Sequence, residues 1–437
     1  MNQFNDSIAM KNRNSKLGFT LTEVLVAVVL TLILLGLMIR AFTASGSEIA
    51  KGRALLEIAG QLRSTSEVLR SDLGGVTATM IPRKPVSSAT GYFEYIEGIA
   101  KDTTIHTLKI GSPDPSAVFG DVDDILMFTA RSLDHPFRGR FGGQIIESNY
   151  AEIIWWTVFE DENGDNQFNS DENLRLFRRV LLVRPDLTTT ATDIGEFWQA
   201  NDVSARLAAD GNVLANSLGD LTDRANRFAR AGTPFPHEPD YAVLQGSNQF
   251  VLSNPTPNGG AINLNEGEDI MLSAVAAFDV RAYDPVAQMR QSTDLTTGLS
   301  PSDFGYAAGL GPAGYGAYVD LNIDFAISPE NGGGIFTGGP QFPAPDDNSI
   351  TWQAATYCTW SASYESDGID QDNDNVIDEG SNRLDDDGAN GPDDIVEFET
   401  RPPYPYPLRG IQVTIRVVEP SSRVVRQTSV TANFVPE

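Results

Sequence analysis

The chain has 437 residues, 41% of them hydrophobic and 21% charged, which is enough apolar mass for a sizeable core and excludes a collagen-like or wholly disordered protein. Fifty-nine acids against 31 bases leave a formal charge of -28, which repels a phosphate backbone and excludes nucleic acid as a partner of the body of the protein. With one cysteine, Cys358, and only His106, His135 and His237 beside it, neither an intramolecular disulfide nor a Cys/His zinc cluster can form, so any metal is one that prefers oxygen.

The first 18 residues are polar, with Lys11, Arg13 and Lys16 against Asp6. From Phe19 to Ile39 follow 21 residues with a single charge, Glu23. At about 1.5 Å per residue such a helix spans about 30 Å, the hydrocarbon thickness of a bilayer. The basic flank predicts a cytoplasmic N-terminus and an exported body after Arg40. A secretory signal has a shorter apolar core with a small-residue cleavage site behind it. Here the informative residues come first, in Lys16-Leu17-Gly18-Phe19-Thr20-Leu21-Thr22-Glu23.

That junction resembles the type IV pilin and type II secretion pseudopilin family. The resemblance implies that prepilin peptidase cuts after Gly18 and methylates Phe19, and that Glu23, fifth in the mature chain, meets the amino terminus of a neighbouring subunit during assembly. Physically, a carboxylate inside a membrane helix is costly without a partner and functional by default. The alternative is that Glu23 sits near the headgroups and snorkels.

Beyond the membrane segment, Leu55, Leu56, Ile58, Ala59, Leu62, Leu69 and Leu73 recur at helical spacing, with Glu57, Arg63, Glu67 and Arg70 on the other face. Gly74-Gly75 supplies a stop. The expectation is one helix over 19–73, its membrane half at 19–39 and its amphipathic half packed on the exported body, after a leader at 1–18.

From residue 74 the pattern turns strand-like. The clearest runs are Ile125 to Ala130, Ile153 to Phe159, Leu174 to Val183, Ile270 to Tyr283, Ala317 to Ile327, Ile411 to Val418 and Val424 to Phe434, the last two forming a hairpin. The fold class is therefore α+β: a long N-terminal helix on an antiparallel β-rich head spanning 74–437. The polar stretches near 186–260 and 285–350 read as large surface insertions. Within the pilin-like class the body is most similar to minor pseudopilin J and PilW-like minor pilins. That likeness is carried by Gln61-Leu62, Leu69-Arg70-Ser71-Asp72-Leu73, Phe177-Arg178-Arg179-Val180, Ala274 to Tyr283 and Leu408 to Val417. The chain is far longer than that group.

Two acidic loops follow the ligand schedule of a calcium-binding loop. In 161–172, Asp161, Asn163 and Asp165 occupy positions 1, 3 and 5, Gln167 offers its carbonyl at 7 and Glu172 stands at 12. Position 6, usually glycine, is Asn166, which tolerates the left-handed conformation. In the second loop, within 367–394, Asp370, Asp372, Asp374 and Asp378 fall at 1, 3, 5 and 9, Val376 offers a carbonyl at 7 and Asn375 replaces the glycine. Position 12 is Ser381, so a bidentate ligand must come from elsewhere. A third cluster, Asp385, Asp387, Asn390, Asp393 and Asp394, can supply ligands or hold a further ion. Two Ca²⁺ sites are expected, with a third if that cluster works alone. Solvated loops without an ion are the competing reading.

Three functions compete. The resemblance implies a structural one, a minor pilin or pseudopilin of a type II secretion or type IV pilus filament, at or near its tip. Its partners would be other pilin subunits and prepilin peptidase, with an inner-membrane anchor and a head that is periplasmic or in an extracellular filament. The second is an adhesin or substrate-binding head on the same anchor. The third, a hydrolase using paired carboxylates, is disfavoured because the acids sit at ligand spacing and no GxSxG element is present, so no enzyme is expected.

Overall fold

A computed structural model describes residues 20–81, 83–84, 89–98, 121–122, 124–159, 174–228, 268–303, 305–321, 334–336, 356–366, 368, 370, 375–393, 397–398, 402, 404–419 and 424–434. The chain divides into two compact units, one up to Leu56 and one from Glu57 onward. Helix α1, Leu21–Gly74, belongs to both. In the first unit it is an apolar rod: Val24, Leu25, Leu30, Leu34 and Ile39 are each more than half exposed. The 23 residues Leu21–Thr43 are long and apolar enough to cross a bilayer. Thr31 and Thr43 donate their hydroxyls back to Ala27 O and Ile39 O, so neither leaves a polar group bare on that surface.

In the second unit the last turns of α1 bury Leu62, Leu69 and Leu73. The helix ends where expected. A side chain at Gly75 would bring its Cβ within 2.2 Å of Arg131 O, and Arg131 N donates to Gly75 O at 2.7 Å, so only glycine lets the chain pass there.

The strands follow in order. They are β1 (Arg83–Lys84), β2 (Phe93–Ile96), β3 (Ile125–Arg131), β4 (Phe137–Phe141), β5 (Gln144–Ser148), β6 (Tyr150–Phe159) and β7 (Leu174–Leu182), then helix α2 (Ile194–Ala200), β8 (Ala205–Leu207) and β9 (Val213–Ala215). The chain continues through β10 (Glu268–Ser273), β11 (Val275–Gln291), β12 (Gly298–Leu299), β13 (Leu310–Val319), β14 (Thr356–Cys358), β15 (Trp360–Ser361), β16 (Gly410–Val418) and β17 (Val425–Asn433). Two main sheets result, one ordered β10-β7-β6-β3-β2-β14 and one ordered β12-β11-β16-β17 with β13 also on β11. All pairings within these two sheets are antiparallel.

The six-stranded sheet is buried on both faces. On β6, Ala151, Ile153 and Trp155 enter the core shared with α1 and the five-stranded sheet, while Ile154 and Trp156 enter a second core on the opposite side. This explains why its strands read as continuous apolar runs in place of an alternation.

The second core corrects one expectation. The stretch from residue 186, read as a surface insertion, supplies Ile194, Phe197, Trp198, Val203, Val213, Leu221 and Phe228 to that core. Its elements are short, so a window wide enough to detect periodicity averages them into the loops between. Likewise the run Ile270 to Tyr283 is two strands. Ala274, at φ 56°, turns the chain from β10 in one sheet to β11 in the other. The part of 285–350 up to Val319 carries the end of β11 with β12 and β13, each paired to β11. The terminal hairpin is as expected, with Gly410 to Val418 opposite Asn433 to Val425.

Candidate functional site

The helix start is the best-defined feature of the first unit. Gly18 and Phe19 lie outside the described residues; Glu23 lies within them. Thr20 caps the helix: its hydroxyl accepts from Glu23 N at 3.3 Å, and Glu23 Oε2 accepts from Thr20 N and from Thr20 Oγ1, both at 2.9 Å. This is a capping box, in which each residue satisfies an amide the other leaves open. The sequence held the signal in Thr20-Leu21-Thr22-Glu23, and Thr20 escaped notice beside the cleavage motif. The carboxylate is thereby held at the first turn, where the helix dipole favours negative charge.

The second candidate is the acidic loop after residue 367. Asp370 Oδ2 accepts from Asn375 N at 3.0 Å, while Asp370 Oδ1 is buried and accepts no hydrogen bond among the described residues. Asn375 stands at φ 75°, the left-handed conformation the position-6 residue needs. Asp378, also left-handed at φ 57°, accepts from Gly368 N through both oxygens at 3.0 and 3.2 Å, and the side chain of Val376 is 37% exposed. Asp372 and Asp374 lie outside the described residues. So does the whole of 161–172, with Asp161, Asn163, Asp165, Gln167 and Glu172.

Of the third cluster, Asp385 and Asp387 are drawn together with an acid that its spacing did not reveal, while Asp394 lies outside the described residues. Carboxylate oxygens of Asp385, Asp387 and Glu397 lie within 4.8 Å of one another. Glu397 is buried, with Asp386 N donating to its Oε1 at 2.6 Å. Asp393 Oδ1 accepts from Arg383 N at 2.7 Å. Hard oxygen donors at this density suit Ca²⁺ better than a softer metal.

A deeper group of acids had no sequence signal at all. Glu97, Asp121 and Asp124 are buried with oxygens within 4.8 Å of one another, brought together by the ends of β2 and β3. Backbone amides engage them: Gly98 N and Val280 N donate to Asp124 at 3.1 and 2.6 Å, and Leu321 N donates to Glu97 at 3.0 Å. The Tyr95 hydroxyl contacts Glu97 Oε2 and Val280 O. Burial, and then the charges of Asp124, Glu97 and Asp320, push that phenol far above its ordinary value.

Among known protein families, the prokaryotic N-terminal methylation motif matches residues 13–39. The N-terminus is of the prepilin type. That match covers the end of the basic leader from Arg13, Gly18, Phe19, the capped Glu23 and most of the apolar span, and it supports a type IV pilin-like subunit that is processed by prepilin peptidase and assembled with other pilin subunits. Carriers of this motif are structural subunits. No curated protein and no solved structure matches the chain.

Proposed function

We propose that this protein is a minor pilin or pseudopilin of the J or PilW-like kind. Prepilin peptidase cuts it after Gly18 and methylates Phe19. The span from Leu21 anchors it once through the inner membrane, with the leader cytoplasmic before cleavage and the head on the far side, periplasmic or carried out on a filament. One observation carries this reading. A motif of processing and an exposed, uninterrupted apolar helix with a single fixed carboxylate coincide at the start of the chain. Apolar surface of that extent is stable only in lipid or against like helices, and a filament provides both in turn. A head running from Glu57 to Glu437 is bulky for a repeat along a dense shaft, which favours a place at or near the tip.

Calcium belongs to the same reading. Asp161, Asn163, Asp165, Gln167 and Glu172 would hold one ion, and Asp370, Asp372, Asp374, Val376 and Asp378 a second, with Asp385, Asp387 and Glu397 close enough in kind to hold a third. The buried Asp370 Oδ1 and the left-handed Asn375 fit such a loop. The ion supplies positive charge where acids crowd and so orders the loop; it performs no reaction.

The test is processing and incorporation of the full chain in cells that make the filament. Gly18→Val should leave the uncut precursor, seen as the intact mass of the leader plus mature chain. Glu23→Ala should be cut but fail to enter filaments. Normal incorporation of both variants would end the filament reading.

A further inference from the structure

Among the described residues, Asn390 alone is an asparagine followed by glycine. The pair lies in the loop between Asp387 and Asp393, with Asn390 exposed and nothing within 4 Å of the place where a Cβ on Gly391 would stand. Other asparagines are hindered by the residue that follows or by burial: Asn375 precedes Val376, Asn212 precedes Val213, Asn149 precedes Tyr150, and Asn216 is fully buried. Without a side chain, glycine leaves its amide nitrogen open to close approach.

The local turn brings that nitrogen round. Gly391 N donates to Ala389 O at 2.6 Å across a single residue, and Asn390, the residue between them, has φ 58°. A bond from the third residue back to the first over a positive φ is the rarer, strained kind of γ-turn, with ψ of about -65° at its centre. The left-handed helical conformation shares that φ but has ψ of about +47°, which points the next nitrogen away from Cβ. In the γ-turn the Gly391 nitrogen lies beside Cβ of Asn390, one side-chain rotation from Cγ. The chain on either side is held, since Ala389 N donates to Asp387 Oδ1 at 2.7 Å and Asp393 N to Leu384 O at 3.3 Å.

We propose that Asn390 is a self-modifying residue, which loses its amide through a ring closed by Gly391 N and so adds a carboxylate to the acidic loop as the protein ages. The Gly391 amide gives its proton to hydroxide, and its nitrogen bonds to Asn390 Cγ. The Cγ–Nδ2 bond then breaks, and ammonia leaves with a proton from water. A second water opens the resulting succinimide at either carbonyl. Opening at Cγ restores the backbone and leaves aspartate; opening at the backbone carbonyl leaves isoaspartate, with the chain routed through Cβ. The net change consumes one water and releases one ammonia, with no oxidant or reductant. It puts a further negative charge between Asp387 and Asp393, in a stretch where 14 acids already meet one base. Along the isoaspartate branch it also lengthens the backbone by a methylene and so resets the spacing of those acids. The chemistry needs neither a filament nor an ion.

The experiment incubates the full chain in detergent at mildly alkaline pH, digests samples at intervals and resolves the peptide carrying Asn390 by liquid chromatography and mass spectrometry. Asn163-Gly164, Asn258-Gly259 and Asn331-Gly332, which lie outside the described residues, are followed on their own peptides. The free heptapeptide of residues 387–393 serves as the clock under the same conditions. Asn390 in the folded chain should convert at least as fast as in that heptapeptide, with both isoaspartate and aspartate formed and a rate that climbs with pH. Gly391→Ala, which crowds the attacking nitrogen, should slow conversion by about tenfold. Asn390→Gln, whose ring would need a sixth member, should keep its amide throughout. Conversion slower in the folded chain than in the free heptapeptide would overturn the proposal. So would aspartate formed without isoaspartate, the mark of direct hydrolysis, or an unchanged rate in Gly391→Ala.

Discussion

Acids in the head gather in two kinds of place, and their described partners differ. Inside the sheets, Glu94, Glu152 and Asp72 are answered by bases, hydroxyls and an indole of the fold. Glu94, fully buried, lies between Arg224 and Arg227 at 2.9 and 2.8 Å. Glu152, fully buried, accepts from the hydroxyls of Tyr92 and Ser204 at 2.6 Å each and from Phe228 N at 2.8 Å. Asp72 on the last turn of α1 takes a two-pronged bond from Arg178 at 2.7 and 2.8 Å and a third from the Trp155 indole at 3.0 Å. Along 365–399, by contrast, 14 acids meet one base, Arg383, and their described partners are chiefly backbone amides. Amide dipoles cannot balance that much charge. These interior acids are thus answered within the fold, whereas the proposed reading gives the loop a cation as its partner.

The largest effect should come from breaking an interior pair. Asp72→Ala or Arg178→Ala strands a charge in the core and should cost about 3–5 kcal/mol. It would appear as a lowered denaturant midpoint followed by tryptophan fluorescence. Arg178→Lys, which keeps charge but not the fork, should recover only part of that loss. If either alanine variant left the midpoint unmoved, the bond between helix and sheet would carry no weight.

Next in size is calcium, which should act on the loop and leave the interior alone. Free Ca²⁺ at a hundred times its dissociation constant should stabilise the full chain by about 2.7 kcal/mol per independent site, read as a rise in Tm that EGTA reverses. Asp370→Asn and Asp378→Asn should blunt that rise, whereas Arg178→Ala should lower Tm and leave the calcium increment intact. Equal Tm with calcium and with EGTA would remove the ion from this account.

The same contrast governs what could be read from residues alone. The loop acids bond to partners within about ten positions, as Asp370 does to Asn375 and Asp393 to Arg383, so a spacing schedule finds them. Interior partners are far apart in the chain: Asp72 and Arg178 sit 106 residues from each other, and Glu94 and Arg224 sit 130 apart. Two stretches chosen for their likeness to one pilin subgroup, around Leu69 to Leu73 and Phe177 to Val180, prove to meet through that Asp72–Arg178 bond. The long helix, its glycine stop and the final hairpin were legible because each is set by local pattern. The second core was not, since α2 has seven residues and β8 and β9 three each. The convergence of Glu97, Asp121 and Asp124 depends on strand pairing, which no local rule supplies.

A third effect separates burial from charge in the interior. Desolvation lifts the folded pKa of Glu152 above its ordinary value of 4.5, against the opposing pull of its Ser204, Tyr92 and Phe228 bonds. A raised carboxyl binds its proton more tightly in the folded state, so its contribution to stability is full below 4.5 and is lost as pH rises through the folded value. Each pH unit of displacement is worth about 1.4 kcal/mol. Glu152→Gln, neutral at every pH, should therefore gain on the wild type as pH climbs from 4.5 toward 8, in denaturant titrations at a series of pH values. A difference that stays flat over that range would place the charge of Glu152 in a better-solvated setting than its burial implies.

The smallest effect belongs to an acid of neither kind. Asp193 is exposed, yet it is answered from within the fold, because its Oδ1 accepts from Glu196 N at 2.9 Å and caps α2. The helix is short and cannot hold itself by propensity. What keeps it is the burial of Ile194, Phe197 and Trp198 in the second core, with the cap setting where it starts. Asp193→Ala should cost about 1 kcal/mol and Asp193→Asn only a few tenths, since asparagine accepts the same amide bond without the charge. If the cost were electrostatic, as in the acidic loop, both substitutions would act alike and salt would erase the difference. Should asparagine instead behave like alanine, Asp193 would be answering charge and not geometry, and the division between acids satisfied from inside and acids awaiting a cation would have to be redrawn.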